Sequence, residues 1–367
     1  MRYTWMLIFS VLPLLALVYV CWHIWVLLPW GRVWKALVML VPLIALGAML
    51  ASFTRTIDKM PLEIASVVYE VGNSLIFVLL YLVIIFVLLD IGRWVGIIRA
   101  EWLHHNGIVA SILTIFMIAV FGYGNLHYRH KYRQAIDMKT SKTIKQGTKV
   151  VLLSDLHLGY HNRRKELHRW VDMINAEHAD VILVAGDLID LSVKPLVEEC
   201  DWEELRRINA PIYACLGNHE YISGVRDAIA FYRQAGITLL KDSVASVAGL
   251  TVIGRDDRSN THRKPLQTLM NESSKSALLS QPIILLDHQP YHLEEAENAG
   301  VDFQFSGHTH HGQVWPISWI TDALYEDAFG ATTKGKTQYY VSSGMGIWGG
   351  KFRIGTRSEY VVLTINE

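Results

Sequence analysis

One stretch of sequence decides the fold of the C-terminal half, Val150-Val-Leu-Leu-Ser-Asp-Leu-His-Leu-Gly159. Its apolar, partly β-branched start predicts a buried strand, and Asp155 and His157 follow where that strand ends. Residues two apart in an extended chain face the same side, so these two side chains can reach one ion together. The alternative is a turn with a helix cap, and the choice depends on the segments downstream.

Four further apolar runs end in residues of the same kind. Gly186-Asp187 follows the run Val181–Ala185, and Gly217-Asn218-His219 follows the next run. His288 ends a later run, and Gly307-His-Thr-His310 ends another. Later strands are predicted at Leu250–Gly254, Ile283–Leu286, Phe303–Phe305, Tyr339–Ser342 and Tyr360–Thr364. Because helical periodicity separates the early strands, the pattern predicts an α/β domain with a largely parallel core.

The carboxyl ends of parallel strands meet at one edge of a sheet, and ligands in open α/β folds bind at that edge. The polar residues that follow these strands are therefore expected to gather there. The polar residues gathered there are Asp155, His157, Asp187, Asn218, His219, His288, His308 and His310. Imidazole with carboxylate favours Zn, Mn, Fe or Ni over Mg or Ca, and the set suits two divalent transition metal ions. Any single histidine could be an ordinary core or surface residue, but five motifs in this order favour a metal centre.

The N-terminal region, residues 1–125, is overwhelmingly apolar, and most of the charge follows it. Four stretches approach the roughly 20 apolar residues that a bilayer requires, namely Trp5–Leu28, Val33–Phe53, Ser74–Ile91 and Gly107–Gly122. Charged side chains within them are few and lie near their ends, which indicates a transmembrane anchor rather than a transport path. Residues 126–148 are predicted to be a basic juxtamembrane linker, or an ordinary solvated connection, before a catalytic domain at 149–367.

Four spans would place both ends of this anchor on the same side of the membrane. The basic residues on that side are Arg2, Arg55, Lys59, Arg129, Lys131, Arg133 and Lys139. Those on the other side are Arg32, Lys35, Arg93 and Arg99. The positive-inside rule therefore predicts a multi-pass inner (cytoplasmic) membrane protein whose catalytic domain faces the cytoplasm.

Composition narrows the classes of partner. The 367 residues carry a formal net charge of zero, so no global basic field favours nucleic acid. The three cysteines show no paired framework and are interpreted as small buried hydrophobes. The expected partners are the lipid bilayer and a phosphorylated substrate, and the oligomeric state is left open.

In their order, the motifs Asp-Leu-His, Gly-Asp, Gly-Asn-His-Glu, a lone His and Gly-His-Thr-His resemble those of the calcineurin-like metallophosphoesterases. The resemblance covers about Lys149 to the C-terminus and implies a four-layer α/β/β/α sandwich behind the four-helix transmembrane region. It implies that one ion is held by Asp155, His157, Asp187 and His310. Asp187 would bridge to a second ion, which Asn218, His288 and His308 complete. His219 would be the catalytic acid just outside the metal ligands.

Two further segments resemble the membrane-attached bacterial branch of that family. They are Gly307-His-Thr-His-His-Gly-Gln313 and Val341-Ser-Ser-Gly-Met-Gly346, with Arg353 nearby. That branch usually has a glycine where this chain has His311, and often Pro-Glu where it has Ser358-Glu359. His311 and Arg353 are candidate substrate contacts, although His311 could simply be exposed. Some relatives of the branch hydrolyse the pyrophosphate of UDP-diacylglucosamine, which makes that compound a candidate substrate class.

An apolar segment, Trp315–Phe329, follows directly on the last candidate ligands. It could pack against the edge of the sheet, or it could form an apolar lip that meets lipid, with Trp319 and Ile320 as candidate contacts. We therefore predict a membrane-anchored binuclear phosphoesterase acting on a phosphodiester or pyrophosphate, with a lipid-linked substrate. Two alternatives stay open, a membrane-held phosphodiesterase or phosphatase for a soluble substrate or phosphoprotein, and a non-catalytic scaffold of the same fold.

Overall fold

The structure, a computed structural model, describes the backbone of residues 2–273 and 280–367 and the side chains of residues 11–272 and 280–367. The chain divides into two compact units. Unit 1 comprises Met1–Asn125 and Gly349–Lys351, and unit 2 comprises Leu126–Trp348 and Phe352–Glu367. Each unit has its own apolar core.

Unit 1 is built from long apolar helices. Their bounds are α1 (Arg2–Leu27), α2 (Arg32–Phe53), α3 (Leu62–Trp94) and α4 (Gly107–Arg129), the last of which ends within unit 2. Three of them, α2, α3 and α4, are long and apolar enough to cross a membrane. Many of their large apolar side chains, such as Ile44 and Ile112, are exposed, as expected of surfaces that face lipid.

The prediction of four spans is corrected to three within the described residues. The side chains of residues 2–10 lie outside the described part of the chain, and these include the start of the first predicted span, near Trp5. The described apolar part of α1 is Val11–Leu27. At 1.5 Å per residue it is about 26 Å long, which is shorter than the roughly 30 Å hydrocarbon core.

Unit 2 contains two six-stranded sheets within the described residues. The strands are β1 (Lys131–Lys139), β2 (Thr148–Leu153), β3 (Val181–Ala185), β4 (Ile212–Cys215), β5 (Thr238–Leu239), β6 (Ser243–Val247), β7 (Leu250–Gly254), β8 (Ile283–Leu286), β9 (Phe303–Ser306), β10 (Gly330–Lys334), β11 (Thr337–Val341) and β12 (Ser358–Asn366). The first sheet has the order β1-β12-β2-β3-β4-β5, and the second has the order β10-β11-β9-β8-β7-β6. Both sheets are mixed, because β12 runs antiparallel to β2, and β6 and β10 run antiparallel to their neighbours.

Unit 2 also contains the helices that follow α4 in the chain. They are α5 (Arg164–Ala176), α6 (Lys194–Glu198), α7 (Asp201–Leu205), α8 (Asn218–Ser223), α9 (Val225–Ala235), α10 (Leu266–Ser273), α11 (Glu294–Ala299) and α12 (Ile317–Leu324). One core packs α5 and α9 against the first sheet, and another packs α10 and α11 against the second. A third core lies between the sheets and includes Leu152, Leu183 and Phe305. The layers follow the order α/β/β/α, and the predicted sandwich is confirmed.

The segment 126–148, predicted to be a linker, is instead partly built into the sandwich. α4 continues to Arg129, and β1 pairs with β12 in parallel from Lys131↔Ser358 to Lys139↔Asn366. Met138 is buried and Ile136 packs against the core between the sheets. Charged residues that alternate along β1, such as Arg133, are exposed and suit an edge strand. The basic residues of this segment led to its prediction as a linker, although buried and exposed residues alternate along much of β1.

Candidate metal centre

The candidate ligands lie at the carboxyl ends of five strands. In the first sheet, β2, β3 and β4 lead into Asp155, Asp187 and Asn218. In the second sheet, β8 and β9 lead into His288 and His308. Because these strands run parallel within each sheet, their ends meet at one edge of the sandwich.

Unusual backbone conformations are concentrated at this edge. Five candidate ligands have φ between +46° and +73°, namely Asp155, His157, Asp187, His308 and His310. Non-glycine residues seldom adopt this region, and each instance costs on the order of 1–3 kcal/mol. Such residues persist only where the surrounding structure imposes them, and they cluster at functional sites.

Asp155, His157 and His310 form the first group of candidate ligands. The Nε2 atom of His310 lies 3.4 Å from Asp155 Oδ1 and 3.1 Å from His157 Nε2. His157 Nε2 lies 3.8 Å from Asp155 Oδ1. All three side chains are buried, and a Cβ added to Gly307 would overlap Asp155 Oδ2. Glycine at 307 thus lets the backbone pass directly beneath the carboxylate.

Asp187, His288, His308 and Asn218 form the second group. His288 Nε2 lies 3.1 Å from Asp187 Oδ2 and 3.1 Å from Asn218 Oδ1. His308 Nδ1 lies 2.8 Å from the same Asn218 oxygen. Asp187 also faces the first group, because its Oδ2 atom lies 3.7 Å from His157 Nε2.

His219 lies beside both groups. Its ring is 4.5 Å from that of His157, and it forms a third possible metal-binding group with His157 and Asp187. Its Nδ1 atom lies 3.1 Å from Asp190 Oδ1, and its backbone N–H donates to Asp187 Oδ1 at 2.8 Å. The structure therefore places His219 where either a ligand or an acid would lie.

Asp190 and Glu220 contact residues of the site through buried carboxylates, and neither was predicted from the sequence. Asp190 Oδ1 lies 3.1 Å from both His157 Nδ1 and His219 Nδ1, so one buried carboxylate contacts two imidazoles. Glu220 accepts from the backbone N–H groups of Asp187, Ile189 and Gly217, at 3.0, 3.0 and 2.7 Å. The sequence signal for these two residues was their position. Asp190 ends Gly186-Asp-Leu-Ile-Asp190, and Glu220 ends Gly217-Asn-His-Glu220.

The buried carboxylates raise the pKa of two of the histidines. Burial alone would lower the pKa of His157, but its contacts with Asp155 and Asp190 outweigh burial and raise that pKa to about 10. Burial is likewise outweighed at His288, where Asp187 raises the pKa well above its ordinary value. This negative potential favours a cation at the site.

The other two histidines are kept neutral. Burial, with help from His288, lowers the pKa of His308 to about 4. Burial also lowers the pKa of His310 well below its ordinary value. A neutral imidazole presents a lone pair, which is the form that binds a metal ion.

The donor set fits divalent transition metal ions. Ligands that hold one ion at roughly 2.0–2.2 Å must lie roughly 3–4 Å from one another. The separations given above for these groups run from 2.8 to 3.8 Å. Imidazole nitrogen with carboxylate oxygen is the donor set that these metals prefer, and the pKa pattern favours positive charge.

Comparison with known proteins agrees with this geometry. A family model described as calcineurin-like phosphoesterase matches residues 148–312, which contain every candidate ligand. The segment 148–312 belongs to the calcineurin-like phosphoesterases. That family implies hydrolysis of phosphoesters with divalent metal ions.

Relatives of this metallophosphoesterase include proteins with and without a stated membrane region. An uncharacterized metallophosphoesterase of Helicobacter pylori is 28% identical over 68% of this chain and 69% of that protein. A transmembrane protein with metallophosphoesterase domain from Danio rerio is 26% identical over 92% of this chain and 81% of that protein, so that alignment extends into unit 1. Among solved structures, a 5'-nucleotidase precursor from Thermus thermophilus has a TM-score of 0.37 and 16% identity, over 59% of this chain and 54% of that chain. The chain spans about half the length of that nucleotidase.

Arg353, a predicted substrate contact, is corrected to a structural residue of the metallophosphoesterase unit. Its side chain is fully buried. Its Nη1 atom donates to the His310 carbonyl at 2.7 Å, and its Nη2 atom donates to carbonyls that include those of Ser343 and Gly346. Because these carbonyls surround the guanidinium, Arg353 fixes the loops beneath the site and does not reach a substrate.

Three large apolar side chains of the segment after His310 are exposed rather than packed. Trp319, Ile320 and Leu324 on α12 are 64%, 56% and 70% exposed. Core packing of these side chains, one of the two interpretations of the sequence, is therefore wrong. His311 stacks on Phe329 at 4.5 Å between ring centroids, and its Nε2 atom lies 3.4 Å from Asp322 Oδ1.

Tyr325 and Tyr291 form an aromatic surface beside His308. The ring of Tyr325 lies 6.3 Å from that of His308, and its hydroxyl lies 2.9 Å from the Tyr291 hydroxyl. The two tyrosine rings are 4.9 Å apart. They offer a flat surface next to the second group of ligands. Tyr325 belongs to the apolar segment already singled out, whereas Tyr291, three residues after His288, was not predicted.

The octapeptide Gly330-Ala-Thr-Thr-Lys-Gly-Lys-Thr337 matches the letters of a Walker phosphate loop. A phosphate loop connects a strand to a helix, and its backbone N–H groups surround the phosphates. Here the peptide instead forms the antiparallel hairpin of β10 and β11, with Lys334 paired to Thr337. The lysine that a phosphate loop would use is Lys336, which lies in the turn of this hairpin and not before a helix, so the match carries no nucleotide site.

Proposed function

We propose that this chain is a membrane-anchored, two-metal phosphoesterase that hydrolyses a phosphodiester or pyrophosphate bond of a lipid-linked substrate. The observation that carries the lipid part is the exposed apolar face of α12, which begins close behind His310 in the sequence. The apolar spans α2, α3 and α4 support it, because they would keep the catalytic unit near a bilayer.

The proposal assigns the two groups of ligands to two ions. Asp155, His157, Asp187 and His310 would hold one, and Asp187, Asn218, His288 and His308 would hold the other. Asp187 is the shared ligand because its Oδ2 atom faces both His157 and His288. When bound, two such ions neutralise phosphoryl oxygens and lower the pKa of a water.

His219 is proposed to protonate the leaving oxygen. Asp190, 3.1 Å from His219 Nδ1, would orient the ring and favour a proton on that nitrogen. The same carboxylate contacts His157, so it couples the position of the acid to that of a ligand. Asp190 is therefore a positioning residue rather than a catalytic one.

We expect replacement of Trp319 and Ile320 with serine to lower turnover of a lipid pyrophosphate at least about tenfold while sparing a small soluble phosphodiester. The reason is that acyl-chain contacts are lost whereas the residues that perform the chemistry are unchanged. Initial rates on both substrates, measured with detergent-purified protein, provide the check. Val197→Ser is the matched control, because Val197 is a similarly exposed apolar residue on α6.

The outcomes separate the interpretations. An equal decline on both substrates would mean that the double variant damages the catalytic unit. No change on either substrate would remove the support from α12 and favour the soluble-substrate alternative. A scaffold would turn over neither substrate even in the parent protein.

We also propose that unit 2 faces the cytoplasm of the inner membrane. With α2, α3 and α4 as spans, the loop after α2 and the chain after α4 share a side whether or not α1 crosses. That side has six basic residues, Arg55, Lys59, Arg129, Lys131, Arg133 and Lys139, against four on the other, Arg32, Lys35, Arg93 and Arg99. Only the side of the N-terminus depends on α1, and Met1 lies outside the described residues.

Protease added to intact cells should leave unit 2 uncut, and the same protease should digest it after lysis. A tag placed after Glu367 and followed by blotting gives the readout. A second tag at Met1 reports whether α1 crosses, because the two tags would then share a side. Digestion of unit 2 without lysis would reverse the orientation and exclude a cytosolic nucleotide-linked substrate.

A further inference from the structure

The loop that follows β2 carries two candidate ligands of the first group, Asp155 and His157. Both have positive φ, at +53° and +46°, and such conformations persist only where the surroundings impose them. The loop closes at Asn162, because the Gly159 N–H donates to the Asn162 carbonyl at 3.1 Å. The residue that fixes Asn162 therefore also helps to fix the ligands.

The side chain of Asn162 is fully buried and bonds the loop from within. Its Nδ2 atom donates to the carbonyl oxygens of Leu156, His157 and Ile347, each at 3.1 Å. These bonds form only while the amide nitrogen faces the carbonyls. A rotated amide would present its oxygen to three other oxygens, which offer it no donor.

Tyr128 fixes the orientation of this amide. Its hydroxyl donates to Asn162 Oδ1 at 2.6 Å, so the oxygen of the amide is satisfied on the side away from the carbonyls. Tyr128 is itself buried. The Nζ atom of Lys131 lies 3.6 Å from the centroid of the Tyr128 ring and donates to the Tyr128 carbonyl at 2.8 Å. Contacts with the ring and with the backbone thus hold the hydroxyl in place.

Tyr128 lies in the last turn of α4, and all of these contacts are within unit 2. The segment that matches the family model begins only at residue 148. The support for the metal-binding loop therefore includes a residue of this chain that precedes the family segment. α4 is also one of the helices long and apolar enough to cross a membrane.

We infer that Tyr128 is a positioning residue for the metal centre, and that it acts through Asn162 on the loop that carries Asp155 and His157. Without the hydroxyl, the amide of Asn162 loses the bond that orients it, and the loop loses part of its support. The ion held by Asp155, His157 and His310 should then bind more weakly. The ion held by Asn218, His288 and His308 should be spared, because those ligands lie on other loops. The inference rests on the two-metal centre proposed above.

The test uses the full-length protein in neutral detergent, stripped of metal and titrated with manganese(II) chloride in a calorimeter. We expect Tyr128→Phe to weaken the binding of one ion about tenfold and to leave the other unchanged, because loss of an outer hydrogen-bond partner costs roughly 10–100-fold in metal affinity. Asn162→Ala should weaken the same ion at least as much. The double variant should be no worse than Asn162→Ala alone, because the two residues act in series.

Tyr339→Phe is the matched control. Tyr339 is also buried, and its hydroxyl donates to the Leu293 carbonyl at 2.8 Å in the other half of the sandwich. This variant should lower the melting temperature of the metal-free protein about as much as Tyr128→Phe does, because each loses one buried hydrogen bond. It should change neither metal affinity, so the selective loss of one ion separates positioning from a general structural role.

Parent affinities at both sites in Tyr128→Phe, an equal loss at both sites, or additive losses in the double variant would overturn the inference. Asn162→Ala removes the same contact from its other end, so parent affinities in that variant would overturn it even if Tyr128→Phe failed to fold. Fewer than two ions in the parent protein would instead contradict the two-metal centre itself, before any variant is compared.

Discussion

Replacing Asp187 with asparagine is expected to abolish hydrolysis and to reduce bound metal well below two ions per chain. Asp187 is the one carboxylate that faces both groups of ligands, at 3.7 Å from His157 Nε2 and 3.1 Å from His288 Nε2. Asparagine keeps the shape but removes the negative charge. Loss of an outer hydrogen-bond partner already costs roughly 10–100-fold in metal affinity, so loss of a shared ligand should exceed that.

The measurement is elemental analysis of purified protein beside initial rates on an activated phosphodiester. Asp172→Asn is the matched control, because Asp172 is an exposed aspartate on α5. The parent protein should give close to two ions per chain. Full activity of the parent with no metal after exhaustive chelation would end the two-metal proposal.

Replacing His219 with alanine is expected to lower kcat by about 10²–10⁴ while leaving two ions bound. The loss should be largest for esters with poor leaving groups, because these need a proton most. The geometry leaves His219 next to both His157 and Asp187, so metal content decides between an acid and a ligand. His262→Ala, at an exposed histidine, is the control.

A companion variant tests how His219 is oriented. Asp190→Asn should shift the pH profile of kcat and reduce the effect of a second change at His219, because the two residues would act as a pair. Equal losses on activated and unactivated esters in His219→Ala would argue against proton donation. A drop to one ion per chain would instead make His219 a ligand.

All eight strands predicted from apolar runs are present in unit 2, and α5, α7 and α9 account for the helical periodicity between the early strands. Strands of this kind are buried on both faces, so their sequences are continuous apolar runs that are easy to recognise. β1, β5, β6 and β10 were not predicted. They are short or lie at sheet edges. Exposure on one side of an edge strand permits polar side chains, such as those of Thr332 and Thr333 in β10.

Composition predicted three membrane-spanning helices correctly but not the segment that follows them. Long apolar runs identified α2, α3 and α4, because a bilayer demands about 20 apolar residues in a row. The boundary after them was misjudged, because the basic residues around Arg129 and Arg133 were interpreted as a solvated linker. Only pairing with β12, more than two hundred residues later, turns that segment into a strand.

The sequence alone determined which residues gather at the site, since a strand that ends in a polar motif must deliver it to the sheet edge. Asp155, His157, Asp187, Asn218, His219, His288, His308 and His310 are all found there. Tertiary structure decided what surrounds them. Asp190 and Glu220 act through partners that only folding brings close, Arg353 is enclosed by carbonyls from distant loops, and α12 is left exposed. These roles depend on packing between segments far apart in the chain, which local patterns of polarity do not encode.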